Sequence, residues 1–207
     1  MLKRGKNELK IVAFFVMLIV VVVILAVIVF SPPSQSSTFS FEDGMQDWGT
    51  SGPDLEIGEE TLNWSIERSV EISTDGDASL KFYLDNMNDA GKIWIERRFD
   101  VNSDQEYRVK IEFDFATTDF GSVNLWRIIA GASHKSPETA DDLMSSYRDS
   151  TGNGHDSDVG YQWLTKEYEF SASSSSQGEL VVFVGVWGTW ETPRTYFIDN
   201  LTVTLTG

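Results

Sequence analysis

From Tyr107 to Phe115 the sequence alternates apolar and charged side chains without a break: Tyr107, Val109, Ile111, Phe113 and Phe115 against Arg108, Lys110, Glu112 and Asp114. A period of two puts the apolar side chains on one face of an extended chain and the charges on the other. The segment is therefore a strand half buried against a core. Looser versions recur between turn signals. Trp64–Ile72 precedes the turn Thr74–Asp77, Ser79–Leu84 precedes Asp85–Gly91, and Ile93–Phe99 follows. Val123–Ala130, Tyr161–Phe170, Glu179–Trp187 and Thr195–Leu205 extend the series, which Phe39–Glu42 opens. About nine short strands at this spacing predict an all-β fold, a jelly-roll β-sandwich. One short helix is expected inside the polar insert Ser133–Gly160, with Ser136 as N-cap, Pro137 at the first helical position and acids in the first turn.

A different pattern occupies the N-terminus. Ile11 to Phe30 is an unbroken apolar run, IVAFFVMLIVVVVILAVIVF, long enough as a helix to cross about 30 Å of hydrocarbon. Lys3, Arg4, Lys6 and Lys10 precede it, and SPPSQSST follows without a positive charge. The positive-inside rule then predicts a basic cytoplasmic tail over 1–10, a single transmembrane α-helix over 11–30, a linker over 31–38 and an extracytoplasmic domain over 39–207. A cleaved signal peptide is the first alternative, although the run exceeds the usual apolar region and ends without a small-residue cleavage pattern. A pilin-like leader cut after Gly5 is the second, with Glu8 as its acidic residue.

Charge and composition narrow the function classes. The chain of 207 residues carries −16 overall, and residues 1–30, with four bases and Glu8, hold +3, which leaves −19 on the rest. So acidic a domain repels phosphate backbones and excludes nucleic-acid binding. The absence of cysteine excludes thiol catalysis, zinc–thiolate sites and disulfides. His134 and His155 both lie in the insert, and no G-x-S-x-G nucleophile motif is present, so no enzyme activity is expected.

Three segments carry a family resemblance. Phe41-Glu42-Asp43-Gly44 with Trp48, then Gly76-Asp77-Ala78-Ser79-Leu80-Lys81-Phe82, then Tyr196-Phe197-Ile198-Asp199-Asn200-Leu201-Thr202-Val203 occur in that order. Together they resemble the opening strand, the "G-x-x-S-L" strand entry and the closing "I-D-N" strand of galactose-binding-like jelly rolls. The similarity is to the carbohydrate-binding modules of the family-four and family-nine group, and it frames residues 39–206. It implies a structural calcium where these segments meet, with Glu42 and Asp199 as side-chain ligands, backbone oxygens from Thr74–Asp77, and Asp75 as a further carboxylate. Calcium takes 6–8 hard oxygen ligands, which suits carboxylates and turn carbonyls from distant segments. The alternative is that Glu42 and Asp199 accept hydrogen bonds from backbone amides at strand ends. A second acidic stretch, Asp149–Asp158, approximates a calcium loop, but Gly160 stands where the closing Glu belongs.

The resemblance also implies glycan binding on exposed aromatic side chains. Seven tryptophans are available, and Trp126, Trp163, Trp187 and Trp190 are the candidates: Trp190 because it follows Gly188 into a loop, Trp126 because it opposes an aliphatic face. Aromatic rings serve equally well as core filling. Asn63-Trp64-Ser65 and Asn200-Leu201-Thr202 are glycosylation sequons. The expected function is a membrane-anchored extracytoplasmic carbohydrate-binding module that recognises polysaccharide. The alternative is a structural or assembly subunit of a cell-surface, pilus or membrane complex, with protein partners.

Overall fold

The computed structural model describes residues 16–17, 34–52, 62–86, 89–118, 125–150 and 162–207. The chain divides into two units, Met1–Pro33 and Ser34–Gly207. Apart from Val16 and Met17, the apolar run Ile11–Phe30 lies outside the described residues, and among those residues no helix is long and apolar enough to cross a membrane.

The second unit is an all-β sandwich of two antiparallel sheets, consistent with a jelly roll. Strands β1 (Ser34–Phe39) and β2 (Gly49–Ser51) are followed by β3 (Asn63–Ser69), β4 (Ser79–Asp85), β5 (Lys92–Asp100) and β6 (Glu106–Thr117). After β7 (Trp126–Ser133) come helix α1 (Ala140–Leu143), a 3-10 turn (Met144–Ser146) and strand β8 (Tyr147–Ser150). Strands β9 (Gln162–Ser173), β10 (Glu179–Gly188) and β11 (Pro193–Thr206) follow. The first sheet orders β3-β4-β11-β6-β9 with β1 also on β11; the second orders β2-β5-β10-β7-β8.

Strand β11 organises the first sheet. β6 runs along one edge, while β4 takes Pro193–Ile198 and β1 takes Leu201–Thr206 on the other. The register with β6 shifts between Asp199 and Thr202, and Asn200 adopts φ +50° there, a region that asparagine tolerates better than most residues. Between the sheets lies a single apolar core. Val109, Ile111, Phe113 and Phe115 of β6 join Ile93 and Ile95 of β5 and Val182, Val184 and Val186 of β10. Each such side chain, fully withdrawn from water, contributes about 1.5–3 kcal/mol.

Several boundaries differ from the sequence reading. The structure has eleven strands among the described residues, not nine. β1 starts at Ser34, so the ordered strand reaches back over most of the expected 31–38 linker. The reason is its partner: the Ser and Thr side chains that read as a spacer pair with a like stripe on β11, Ser36 Oγ with Thr204 Oγ1 at 3.0 Å and Thr38 Oγ1 with Thr202 Oγ1 at 2.9 Å. Phe41 and Glu42 lie after this strand, in a turn. The helix is capped at Thr139, not Ser136, because Asp142 accepts from the Thr139 amide at 2.9 Å and closes a capping box. Strand β7 ends at Ser133 rather than Ala130, its small residues Gly131 to Ser133 pairing with Phe183 to Val181.

Candidate functional site

Alternation along β5, β10 and β7 gives the second sheet an outward face as ordered as its inward one. The register sets its side chains in rows: Arg98, Val181 and Ser133; then Glu96, Phe183 and Gly131; then Trp94, Gly185 and Ile129; then Lys92, Trp187 and Arg127. The insert after β7 lies on the middle of this face. Leu143, fully buried, packs with Trp94, Ile129, Val181 and Phe183 in a second apolar cluster. Gly131 makes the approach possible, since a Cβ there would strike Ser146 Oγ and the Phe183 ring; one on Gly185 would strike the neighbouring strand, at the Ile93 carbonyl and Trp94.

Polar contacts pin the insert at its margins. Ser136 Oγ donates to Glu96 Oε1 at 2.7 Å, and Trp94 Nε1 donates to the other oxygen, Glu96 Oε2, at 3.0 Å. Arg148 Nε donates to the Ala130 carbonyl at 3.1 Å, and burial pulls the pKa of this guanidinium down. Asp142 is held down to about 2 by the backbone N–H of Glu138, then by the hydroxyl and N–H of Thr139.

The covered centre leaves the two ends of the face open. One end is a cleft of about 300 Å³ lined by Asp47, Gly49, Glu96, Arg97, Arg98 and Val181. Its cations are answered locally, Arg97 by Asp47 at 3.4 Å and Arg98 by Glu179 at 3.4 Å. The other end is aromatic. Trp187, half-buried, meets the Tyr147 ring at 4.7 Å and donates from Nε1 to the Asp89 carbonyl at 2.7 Å. Lys92 Nζ lies 4.8 Å from the Trp187 ring centre, and the Arg127 guanidinium lies 5.8 Å from it and 5.5 Å from Tyr147. Immediately beyond Trp187 the chain turns, and Trp190 stands 51% exposed.

That turn is fastened from across the sandwich. Asn86, almost fully buried, donates from Nδ2 to the Gly188 carbonyl at 2.7 Å and to the Trp190 carbonyl at 3.3 Å, while its Oδ1 accepts from Gly91 N at 3.0 Å. Arg194 also donates to the Trp190 carbonyl at 3.3 Å.

The four candidate tryptophans do not converge. Trp187 lies at the aromatic end, and Trp190 follows it in the turn after β10. Trp126 is only 2% exposed and packs on Phe115 with ring centres 4.9 Å apart, so it fills the core and presents no face to a ligand. The aliphatic side it opposes, at Ile129, is the outward one that the insert covers. Trp163 sits on the first sheet, paired with Ala116 and edge-on to Phe197 at 6.5 Å. Tyr147, Arg127, Lys92 and Asn86 belong to the site, and sequence reasoning missed them. An arginine on the otherwise apolar side of Leu125, Arg127 and Ile129 was the available signal, but its neighbours depend on register.

Glu42 and Asp199 both meet the turn after β3, as acceptors from its backbone amides. Asp199, fully buried, accepts at Oδ2 from Thr74 N at 2.7 Å, Asp75 N at 3.0 Å and Thr74 Oγ1 at 3.2 Å, and at Oδ1 from Asn200 N at 2.7 Å. Glu42 Oε1 accepts from Asp77 N and Ala78 N, each at 2.9 Å. Asp75 contributes its amide here and its side chain is exposed. A calcium shell needs oxygens aimed at one point, whereas these oxygens face N–H donors. Among the described residues no three metal-ligating side chains cluster. The residues as placed do not fit the ion. The Asp149–Asp158 loop lies outside the described residues beyond Ser150; Asp149 itself accepts from Lys166 Nζ at 2.8 Å.

No family model and no curated protein matches the chain. Solved structures similar in fold include the carbohydrate-binding module TmCBM61 in complex with beta-1,4-galactotriose, 14% identical with a TM-score of 0.43, covering 79% of this chain and 92% of that one. The K3 cleaved adhesin domain of Lys-gingipain from Porphyromonas gingivalis W83 is 12% identical with a TM-score of 0.49, covering 83% and 99%. The CBM22-1 xylan-binding domain of Paenibacillus barcinonensis Xyn10C is 14% identical with a TM-score of 0.41, covering 85% and 96%.

Proposed function

We propose that the chain is a non-catalytic carbohydrate-binding module, carried outside the membrane by an anchor over Ile11–Phe30. The observation that carries the binding role is the aromatic end of the second sheet. There Trp187 lies against Tyr147, Arg127 and Lys92, and Trp190, three residues further on in the following turn, is exposed. Sugar rings offer apolar faces to aromatic rings and hydroxyls to nearby polar groups, and sites of this kind combine aromatic walls with a few fixed polar side chains. The buried Asn86 amide fixes the loop in advance, which reduces the ordering cost of binding.

The anchor rests on the length of the apolar run and on the basic residues before it. A glycan panel presented to the full chain in detergent tests the binding role. Retention of at least one glycan, weakened by Trp190→Ala at unchanged melting temperature, is the expected result. Protease treatment of intact cells tests the location and should release the β-sandwich.

A further inference from the structure

The described lysines and arginines have, with one exception, an oxygen partner. Arg97, Arg98, Arg108, Lys81, Lys110, Lys135 and Lys166 pair with carboxylates, and Arg68, Lys92, Arg148 and Arg194 donate to backbone carbonyls. Arg127 is the exception: among the described residues its guanidinium meets only the Tyr147 and Trp187 rings. The sequence supplies 32 acidic side chains against 16 basic ones, so partners for an arginine are plentiful. An arginine resting on two rings without a carboxylate keeps its N–H edge available while its orientation is fixed. A guanidinium held that way matches a carboxylate or sulfate in a two-pronged hydrogen bond.

Its place in the face completes the argument. Arg127, Trp187 and Lys92 occupy adjacent positions on three neighbouring strands, so the ring has a cation on either side. Arg127 is partly exposed, and two residues before it the Leu125 carbonyl accepts from Thr189 N, in the loop that carries Trp190, at 3.2 Å. A neutral sugar needs no such charge. The −19 on residues 31–207 opposes an anionic ligand at a distance, but at physiological ionic strength that field decays over about 8 Å. Contact with Arg127 is shorter than that.

We propose that Arg127 is an anion-binding residue, and that the glycan recognised at the aromatic end carries an acidic sugar whose carboxylate or sulfate pairs with it. This rests on the carbohydrate-binding reading and narrows it to a chemical class. The acidic group lies against the guanidinium while the ring of the same or the neighbouring sugar covers Trp190.

The test presents the full chain with matched pairs of glycans: glucuronoxylan, polygalacturonate, alginate and hyaluronate, each beside its carboxyl-reduced form, with heparin and desulfated heparin as the sulfate pair. The carboxylate and sulfate arms separate the two sources of negative charge. At least one acidic member should bind about tenfold or more tightly than its neutralised partner, as the loss of a charged hydrogen-bond pair requires. Arg127→Gln should erase the difference between acidic and neutralised members of each pair, while Arg127→Lys should restore part of it. Melting temperatures of both variants verify folding. Equal binding within every pair overturns the acidic-sugar assignment and leaves the carbohydrate reading standing. Failure to bind any pair or any neutral glycan overturns both, and capture of poly-glutamate in their place identifies the site as one for acidic peptides.

Discussion

The side-chain amide of Asn86 donates to the carbonyl of Gly188 at 2.7 Å, across 102 positions of sequence. This contact ties the end of β4 to the end of β10, and the loop that presents Trp190 hangs from it. Asn86→Ala leaves the Gly188 carbonyl and the Gly91 amide buried without their partner, at a cost of about 1–3 kcal/mol. Denaturant unfolding measures that loss. Trp190 emission should also become more mobile in anisotropy decay, since the loop loses the Asn86 fastening.

Asp199 closes the gap where β4 hands the edge of β11 over to β1, by accepting the Thr74 and Asp75 amides. Asp199→Ala orphans these donors and should destabilise the sandwich by about 1–3 kcal/mol for each group left buried. Because N–H donors occupy the carboxylate, the melting temperature of the chain should be the same with chelator as with millimolar calcium. A rise of several degrees on adding calcium would show that the turn rearranges around the ion, as the family resemblance implies.

The insert is sensitive to acid through Asp142, whose pKa is held at about 2 from an ordinary 3.8 by the Glu138 amide and by Thr139. A carboxyl depressed in the folded state stabilises it fully above the unfolded value. That contribution fades as pH falls from about 4 towards 2. Amide exchange of residues 139–146 should accelerate over this window, ahead of β6. Asp142→Asn should be insensitive there.

Gly131→Ala places a methyl group against Ser146 Oγ and the Phe183 ring. Crowding of this kind costs about 1–3 kcal/mol. The insert should lift rather than the sheet bend, because β7 is flanked by β10 along its length. Faster acrylamide quenching of Trp94, which is 1% exposed in the parent chain, would report it. Unchanged quenching would mean that the insert is not seated on Gly131.

Much of this fold was legible in the sequence because period two states which face of a strand is buried. Tyr107 to Phe115 lies in β6 with its apolar side inward, as its alternation demands. Strand β1 was not legible, since Ser34 to Thr38 has no apolar face and is ordered by a hydroxyl stripe on β11 that only the register brings beside it. The aromatic site was half legible. Trp190 follows from its place after a glycine, and Trp187 from β10. Trp126 was misplaced because alternation assigns two faces without saying which one points inward, and a second cluster beneath the insert made the outward face apolar too. Arg127 and Tyr147 lie far from Trp187 in sequence, and pairing across strands is what joins them.

The affinity of the full chain for its glycan, compared between the parent and Trp190→Ala by titration calorimetry, tests the binding role most directly. Stacking on one ring contributes about 0.5–1.5 kcal/mol beyond area burial, so the variant should bind about two- to tenfold more weakly while melting at the parent temperature. Unchanged affinity in Trp190→Ala, or a parent chain that binds no glycan at all, would contradict a carbohydrate site at this end of the sandwich.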